Sequence, residues 1–173
     1  MAALSVEVLR QEFDRSFALP WREAAADSID LLAIRVGTQA YALDVAELGG
    51  IAADLWVTPV PSPTPALCGL VGMRGGLVAV FDLATLLGEA PGAEVPRWVG
   101  VCRGNLEIAV AFHTLEGHLR VPRDSLRSTP DERQGLVEQV VESNGELRPI
   151  ASLSRVARAV SLRTGQERPG KGM

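Results

Sequence analysis

The chain has 173 residues, with 17 Lys+Arg against 21 Asp+Glu, so its formal net charge at neutral pH is −4. This length is typical of one domain, and 47% hydrophobic with 22% charged residues excludes a disordered chain. The weakly acidic balance, without a block of like charges, argues against nucleic acid as a partner.

Residues 5–19 are predicted to form an amphipathic helix ahead of the main body of the chain. Its apolar side chains recur at three- and four-residue spacing: Val6, Leu9, Phe13 and Phe17. Ser5 is a candidate N-cap, and Pro20 ends the helix. Charged residues interrupt any signal-like apolar run, and prolines interrupt the longest uncharged stretch, 55–73. We therefore expect a cytoplasmic protein with no direct membrane insertion.

Short strands and hairpins are predicted from Leu31 onward. Alternating or short apolar runs predict strands at 31–36, 40–45, 67–73, 77–81, 98–102, 106–112, 117–121, 136–142 and 147–151. Residues 58–65 contain a proline at every second position from Pro59, which excludes both a helix and a central strand. We predict an extended loop there.

Two helices are predicted, each after a hairpin. Asp82 can cap a short helix over 83–87 that ends at Gly88, and 153–160 is also helical in pattern. At an offset of seventy positions the two regions resemble each other, pairing Gly75 with Gly145, Leu77 with Leu147, Val80 with Ile150, Leu83 with Leu153 and Leu86 with Val156. We interpret this as a structural echo between two halves.

No residue of the sequence has an evident catalytic role. His113 and His118 are five apart, which fits neither a helical metal-ligand pair nor a nearby third ligand, so no metal is expected. His113 is predicted to close a strand and His118 to lie in or after the next turn. Cys68 and Cys102 sit in apolar settings and are predicted to be reduced core thiols. No cofactor is expected, because the glycines of 69–76 lack the Lys-Ser/Thr ending of a phosphate-binding loop.

One stretch resembles a known family: Gly69-Leu70-Val71-Gly72-Met73-Arg74-Gly75-Gly76-Leu77-Val78-Ala79-Val80-Phe81-Asp82-Leu83. It is similar to the CheW-like domain of bacterial chemotaxis coupling proteins, in which an apolar run is followed by Leu-Arg-Gly, a strand ending in Val-(Ile/Phe)-Asp-Leu, and a short helix ending in Gly. The flanks agree at 41–45, at the Pro-marked loop 58–65 and at 143–156. The resemblance covers roughly residues 30 to 160.

The resemblance implies a mainly β fold of two small five-stranded SH3-like β-barrels that share a core. On this basis residues 1–29 are an N-terminal helical extension, 30–162 the CheW-like domain and 163–173 a flexible tail. It also implies a non-enzymatic adaptor with two partners. One is the cytoplasmic tip of a chemoreceptor (methyl-accepting chemotaxis protein), and the other is the regulatory domain of a CheA-type histidine kinase.

Candidate receptor- or kinase-binding residues are carried over from the family pattern: Leu48, Gly50, Ile51, Gly69, Met73 and Arg74. Arg74 matches the Arg after the apolar run, where a planar fork on a tight turn suits a carboxylate or a backbone carbonyl. That acceptor is either on a partner or within the fold. Leu48 and Ile51 match apolar positions flanking the receptor groove, although both also fit a core role.

Three positions depart from the family pattern: Gly50 replaces the usual Glu of the groove, Gly72 the usual Asn, and Phe112-His113 the usual Val-Asp. A missing groove charge changes specificity more than raw affinity. One alternative is therefore a divergent protein that keeps a single partner contact and acts as a decoy or pathway insulator. The alternative from another class is a small β-barrel enzyme that uses Cys68, His113 or His118.

Overall fold

The computed structural model of the protein describes residues 27–90, 94–130 and 133–165. The predicted helix over 5–19 lies outside these residues. The strands are β1 (Ser28–Val36), β2 (Gln39–Asp44), β3 (Leu48–Ala53), β4 (Leu67–Met73), β5 (Gly76–Asp82), β6 (Trp98–Cys102), β7 (Ile108–Phe112), β8 (Thr114–Pro122), β9 (Arg127–Ser128), β10 (Val137–Ser143) and β11 (Glu146–Ala151). The helices are α1 (Leu83–Leu87) and α2 (Leu153–Gly165).

The strands form two sheets, which confirms the prediction of a mainly β fold. The first sheet has the order β8-β1-β2-β11-β10-β9 and the second the order β3-β6-β7-β5-β4. From Ser28 onward the chain forms β1 and β2 of the first sheet, then all strands of the second sheet, and then returns to complete the first. Neither helix in the described ranges is long and apolar enough to cross a bilayer.

The structure differs from the sequence prediction at two strands. The first sheet has six strands rather than five, because the two-residue β9 pairs with β10. β3 was not predicted, since Gly49 and Gly50 weaken its strand pattern. His118 lies inside β8, in agreement with the predicted strand over 117–121, and its Nε2 is 3.0 Å from Asp30 Oδ1 on β1.

The two halves repeat one hairpin-and-helix unit, as the offset of seventy positions predicted. β4 and β5 meet at a two-residue turn in which Arg74 (φ 51°) and Gly75 (φ 79°) are left-handed. β10 and β11 meet at the equivalent turn of Asn144 (φ 53°) and Gly145 (φ 76°). Positive φ at both central positions defines the type I′ hairpin turn. The second strand of each hairpin then pairs in parallel, β5 with β7 and β11 with β2, and runs into a helix.

The apolar core has a shared part and two private parts. The shared cluster lies between the sheets and takes large side chains from both, together with buried residues of α1 and α2; among them are Tyr41, Leu43, Phe81, Phe112 and Leu153. Each sheet also packs residues of its own strands against one another, which requires that sheet to curl. The private cluster of the second sheet contains only Val and Ala among its buried members.

An ionic network of two arginines and two glutamates joins β1, β8 and β11 in the first sheet. Glu116 accepts from Arg35 Nε and from Arg148 Nη1, each at 2.6 Å, and Glu146 accepts from Arg148 Nη2 at 2.8 Å. Arg148 is buried and points to the same side of β11 as Ile150, so the network closes one end of the first sheet's private cluster. Burial opposes ionisation of Glu116, but the hydrogen bonds from Arg148 and Arg35 prevail and hold its pKa below the ordinary value.

Glu47 connects the two sheets to α2. It ends the short 3-10 turn Val45–Glu47, where the chain crosses from β2 to β3. Its carboxylate accepts from the backbone N–H of Leu153 at 2.6 Å and from the hydroxyls of Ser152 and Ser154 at 3.0 and 2.5 Å. A negative charge at this position accepts from the first free N–H of α2 and complements the helix dipole. Its own carbonyl accepts from the Arg103 N–H of the second sheet.

Glu47→Gln is therefore expected to lower the free energy of unfolding by about 1 kcal/mol, because a neutral amide caps α2 less well. Urea unfolding followed by circular dichroism measures the change. Glu142→Gln is the matched control, since Glu142 is exposed on β10. Equal stability of the two variants would contradict the capping role.

Glu116→Gln is expected to lower the free energy of unfolding at pH 7 by about 1–3 kcal/mol, because Arg148 loses one of its two charged partners and Arg35 loses the closer of its two. A carboxyl with a lowered pKa stabilises the fold above its unfolded-state pKa, and this stabilisation disappears as pH falls through the folded-state pKa. The difference in the free energy of unfolding between wild type and variant should therefore become smaller from pH 7 to pH 3, as measured by urea unfolding. A gap that stays constant over this range would show that Glu116 does not act through its charge.

Candidate interaction groove

The turn between β4 and β5 places a charged side chain at a position that ordinarily favours Gly or Asn. Arg74 is held at φ 51°, a left-handed conformation that is costly for a residue of its size. The equivalent turn in the first sheet uses Asn144, which adopts this conformation readily. A costly backbone at one of two equivalent turns indicates a role for the Arg74 side chain beyond the turn itself.

Two adjacent glycines of β3 receive side chains from neighbouring turns. A Cβ atom at Gly50 would lie 2.8 Å from Arg74 Nη2, so the guanidinium rests directly over the Gly50 backbone. A Cβ atom at Gly49 would lie 2.8 Å from Leu106 Cδ2. The missing side chains thus permit close approach of the turn at Arg74 and the turn preceding β7 to the edge strand β3.

These turns border a groove of about 230 Å³ between the start of β5 and the β6–β7 connection. Its lining consists of Met73, Arg74, Gly76, Leu77, Val78, Val101, Leu106 and Glu107. Val78 and Val101 form the floor and belong to the second sheet's private cluster. Leu77 and Leu106 are 68% and 52% exposed at the rim. An exposed apolar rim over an apolar floor is suited to receive apolar side chains from another molecule.

The structure brings together most of the predicted site residues and separates two. Met73 and Arg74 line the groove, Gly50 lies beneath Arg74, and Ile51 is exposed on the adjoining part of β3. Leu48 is instead buried in the shared core. Gly69 (φ 147°) faces the Pro-marked loop, where an added Cβ would lie 2.2 Å from the Thr58 carbonyl oxygen. Close packing against this loop explains that glycine, which is absent from the groove lining.

Sequence reasoning missed Leu77, Leu106 and Glu107 as groove residues. Leu77 was assigned only to the β5 strand and Leu106 to the start of the next strand. The available signal was their position, since each is an apolar residue directly after a turn. β5 pairs with β7 only from Ala79 and Ile108 onward. The residues just before these two positions are therefore not paired with each other, and the opening between them is the groove that Leu77, Leu106 and Glu107 line.

The groove carries one cation and one anion whose charges are not paired within the described ranges. Among those residues neither Arg74 nor Glu107 forms an ion pair, whereas Arg35, Arg97 and Arg148 each bind a carboxylate. The predicted alternative that Arg74 braces an acidic neighbour of its own fold is therefore not seen in this part of the chain. Its guanidinium is left to face the groove.

A second opening lies toward the other end of the same private cluster. This cavity of about 630 Å³ is lined by Val80, Val99 and Ala111, with Leu55, Val57 and Cys68 beside them. Val95 lines its rim and Trp56 lies within the same loop segment as Leu55 and Val57; they are 88% and 87% exposed. Single exposed apolar residues are ordinary, but exposed apolar side chains next to an apolar cavity are a feature of interaction sites, and Trp is enriched there.

Both cysteines are free thiols in apolar surroundings, as predicted, although Cys68 is only half-buried. Burial, with a smaller effect of the Asp82 carboxylate, raises the pKa of Cys68 to about 11. Burial and then Glu47 raise the pKa of Cys102 to about 12. A thiol that resists ionisation is a poor nucleophile at neutral pH.

The histidines have ordinary structural partners. His113 directly follows β7, as predicted, and its Nδ1 accepts from the Gly37 N–H at 3.0 Å while Nε2 lies 3.0 Å from the Glu94 carbonyl oxygen. His118 pairs with Asp30 on the outer face of the first sheet. Within residues 27–90, 94–130 and 133–165 no group of His, Cys, Asp and Glu is arranged to hold a metal ion.

Comparison with known proteins identifies relatives that share this fold. A family model for the CheW-like domain matches residues 30–161. The chemotaxis protein CheW of Thermotoga maritima is 22% identical over 144 residues, covering 82% of this chain and 95% of that protein. The crystal structure of the scaffolding protein TtCheW from Thermoanaerobacter tengcongensis superposes with a TM-score of 0.64 at 15% identity, covering 71% of this chain and 88% of that chain.

The family model spans most of both sheets and both helices, including the hairpin turn that carries Arg74. The chain therefore belongs to the CheW-like domain family of chemotaxis adaptor and scaffold proteins.

Proposed function

We propose that this protein is a non-enzymatic adaptor that couples the cytoplasmic tip of a chemoreceptor to the regulatory domain of a CheA-type histidine kinase. The observation that carries the proposal is the pair of exposed apolar surfaces at the two ends of the second sheet's interior. An adaptor must hold two partners at once, and surfaces that share no lining residue allow this without competition.

The groove at Leu77 and Leu106 suits a receptor tip, which is a bundle of amphipathic helices. Helix-in-groove recognition places apolar side chains at spacings of three and four residues into an apolar floor. Val78 and Val101 supply that floor, and Arg74 and Glu107 supply polar rim groups that set orientation. Ile51 extends the apolar surface along β3.

The surface at Trp56 and Val95 suits the kinase regulatory domain. Trp is enriched among the residues that dominate binding energy, because it removes a large apolar area from water on docking. The neighbouring Asp54 accepts two hydrogen bonds from Arg97, at 2.8 and 2.9 Å, so these two charges neutralise each other, and Glu94 leaves one negative charge at the rim. A mainly apolar surface with a polar rim favours a folded protein partner.

The mechanism is positioning without chemistry. The shared cluster and the Glu47 cap join the two sheets and α2, so a partner held at either end of the second sheet is held in a fixed relation to the other. A change of receptor conformation can then bias the kinase through differential contacts. This role places the protein in the cytoplasm, recruited to a chemosensory array.

The alternative of a decoy or insulator that keeps one partner rests on Gly50, which removes a side chain from the groove edge. The enzyme alternative draws little support, because the Cys68 thiol resists ionisation and both histidines are engaged in structural contacts. Binding measurements separate the first two functions, and thiol reactivity tests the third.

We expect the wild-type protein to bind both a receptor cytoplasmic fragment and the kinase regulatory domain from the same genome in calorimetric titrations. Leu77→Asp should weaken receptor binding about tenfold or more, and Trp56→Ala should weaken kinase binding by a similar factor. Each variant should leave the other partner's affinity unchanged.

Leu147→Asp is the matched control for Leu77→Asp. Leu147 occupies the equivalent hairpin position of the first sheet and is 61% exposed against 68% for Leu77. Binding of a single partner by the wild type would favour the insulator, and binding of neither would overturn the adaptor proposal. A loss of receptor binding in Leu147→Asp equal to that in Leu77→Asp would exclude the groove as the receptor site.

Thiol labelling tests the enzyme alternative. Because the pKa of Cys68 is raised to about 11, labelling of the folded protein at pH 8 should be about 100-fold slower than that of an unfolded control. Both cysteines should react rapidly in urea. Fast reaction of one thiol in the folded state would revive a nucleophilic role for that residue.

A further inference from the structure

Arg74 occupies its turn at a conformational cost that the equivalent turn avoids. Left-handed backbone is strained for a residue such as Arg, whereas Asn144 adopts it with little strain. The flanking hairpins are otherwise alike, since both are two-residue turns completed by Gly75 or Gly145. The guanidinium, and not the turn, accounts for an arginine at this position.

The position of the guanidinium is set by the absence of a side chain. Gly50 has no side chain, so the space over this part of β3 is open to Arg74. A Cβ atom added at Gly50 would lie 2.8 Å from Arg74 Nη2. Among the described residues this guanidinium has no carboxylate partner, while Asp54 binds Arg97 and Glu116 binds both Arg35 and Arg148. The planar, five-donor fork is thus presented beside an apolar groove.

We propose that Arg74 selects an acidic residue on the helix that occupies the groove, and that Gly50 keeps Arg74 available for it. This rests on the proposed function, because the helix is that of the receptor tip. The carboxylate forms a bidentate pair with the guanidinium, and apolar residues three or four positions away enter the floor between Leu77 and Leu106.

The remaining rim charge fixes the direction of this helix. Glu107 also lines the groove and would repel an acidic residue placed beside it, so the helix is oriented with its acid toward Arg74. The site therefore favours an amphipathic helix with an acidic residue at one border of its apolar face. A Glu at position 50 would satisfy Arg74 internally and remove this selection.

The test uses the full-length protein and a receptor tip fragment from the same genome, titrated at 50 and 500 mM NaCl. Arg74→Asn should keep or raise the free energy of unfolding, because Asn suits the turn, yet weaken receptor binding about tenfold or more at low salt. A merely structural role of Arg74 predicts that stability and binding fall together. Gly50→Glu should weaken binding by a similar factor through the internal pair.

Gly50→Gln controls for size, since it adds a side chain of the same length without charge. If Gly50→Gln weakens binding as much as Gly50→Glu, the effect is steric and the proposal is wrong. If the wild type binds the receptor fragment and Arg74→Asn binds equally well, the charge selection is overturned while the adaptor function stands. Failure of the wild type to bind the fragment at all overturns the proposed receptor coupling itself.

The decisive confirmation is a charge exchange. Arg74→Glu should lose binding to the natural fragment and regain it with a fragment in which one acidic residue of the tip is replaced by Arg. Restoration by a single tip position, and by no other, identifies the carboxylate that Arg74 selects. If no position restores binding, direct pairing is excluded.

Discussion

The apolar cluster between the two sheets is the contact on which the rest of the molecule depends. It takes side chains from both sheets and from both helices, so neither sheet can lose its position without exposing large residues such as Phe81, Phe112 and Leu153. Each private cluster is smaller, and the second contains only Val and Ala among its buried members. Both openings of the second sheet therefore rely on packing elsewhere for their shape. Glu47 adds a polar link at the same junction, because it caps α2 from the crossover that leads into β3.

The two functional surfaces arise from a departure from internal symmetry. The same hairpin and helix occur twice, but the first sheet closes one end of its interior with the network of Arg35, Glu116, Glu146 and Arg148. Among the residues that the structure describes, the second sheet has no such network. There the splay of β5 from β7 leaves an open groove, and an arginine replaces the asparagine that suits the turn. One copy of the unit thus contributes mainly stability, and the other presents a surface.

Most of the fold was predictable because local signals agreed with tertiary packing. The hairpins β4–β5 and β10–β11, the Asp82 cap with the Gly88 C-cap, and the apolar run of β6 all appear where the sequence placed them, and β7 begins at Ile108 rather than at the predicted Leu106. β3 and β9 were missed, because glycines and a two-residue length leave almost no periodic signal. The site was predicted only in part: the resemblance indicated Arg74 and Gly50, but their direct contact depends on how the second sheet curls. No sequence pattern encodes that curvature.

The path of the chain through the sheets also determines when each can form during synthesis. All strands of the second sheet lie in one continuous segment from Leu48 to Phe112, so its pairings are available once that segment has left the ribosome. The first sheet unites β1 and β2 with β8 to β11, and its parallel contact between β2 and β11 needs almost the entire described chain. During translation the β1–β2 hairpin therefore remains without its later partners. Residues that are buried in the folded protein, such as Leu31, Ile34 and Tyr41, are exposed to solvent in that period. The surface-bearing half of the molecule is thus the half that can assemble first, and the stabilising half completes it from both sides.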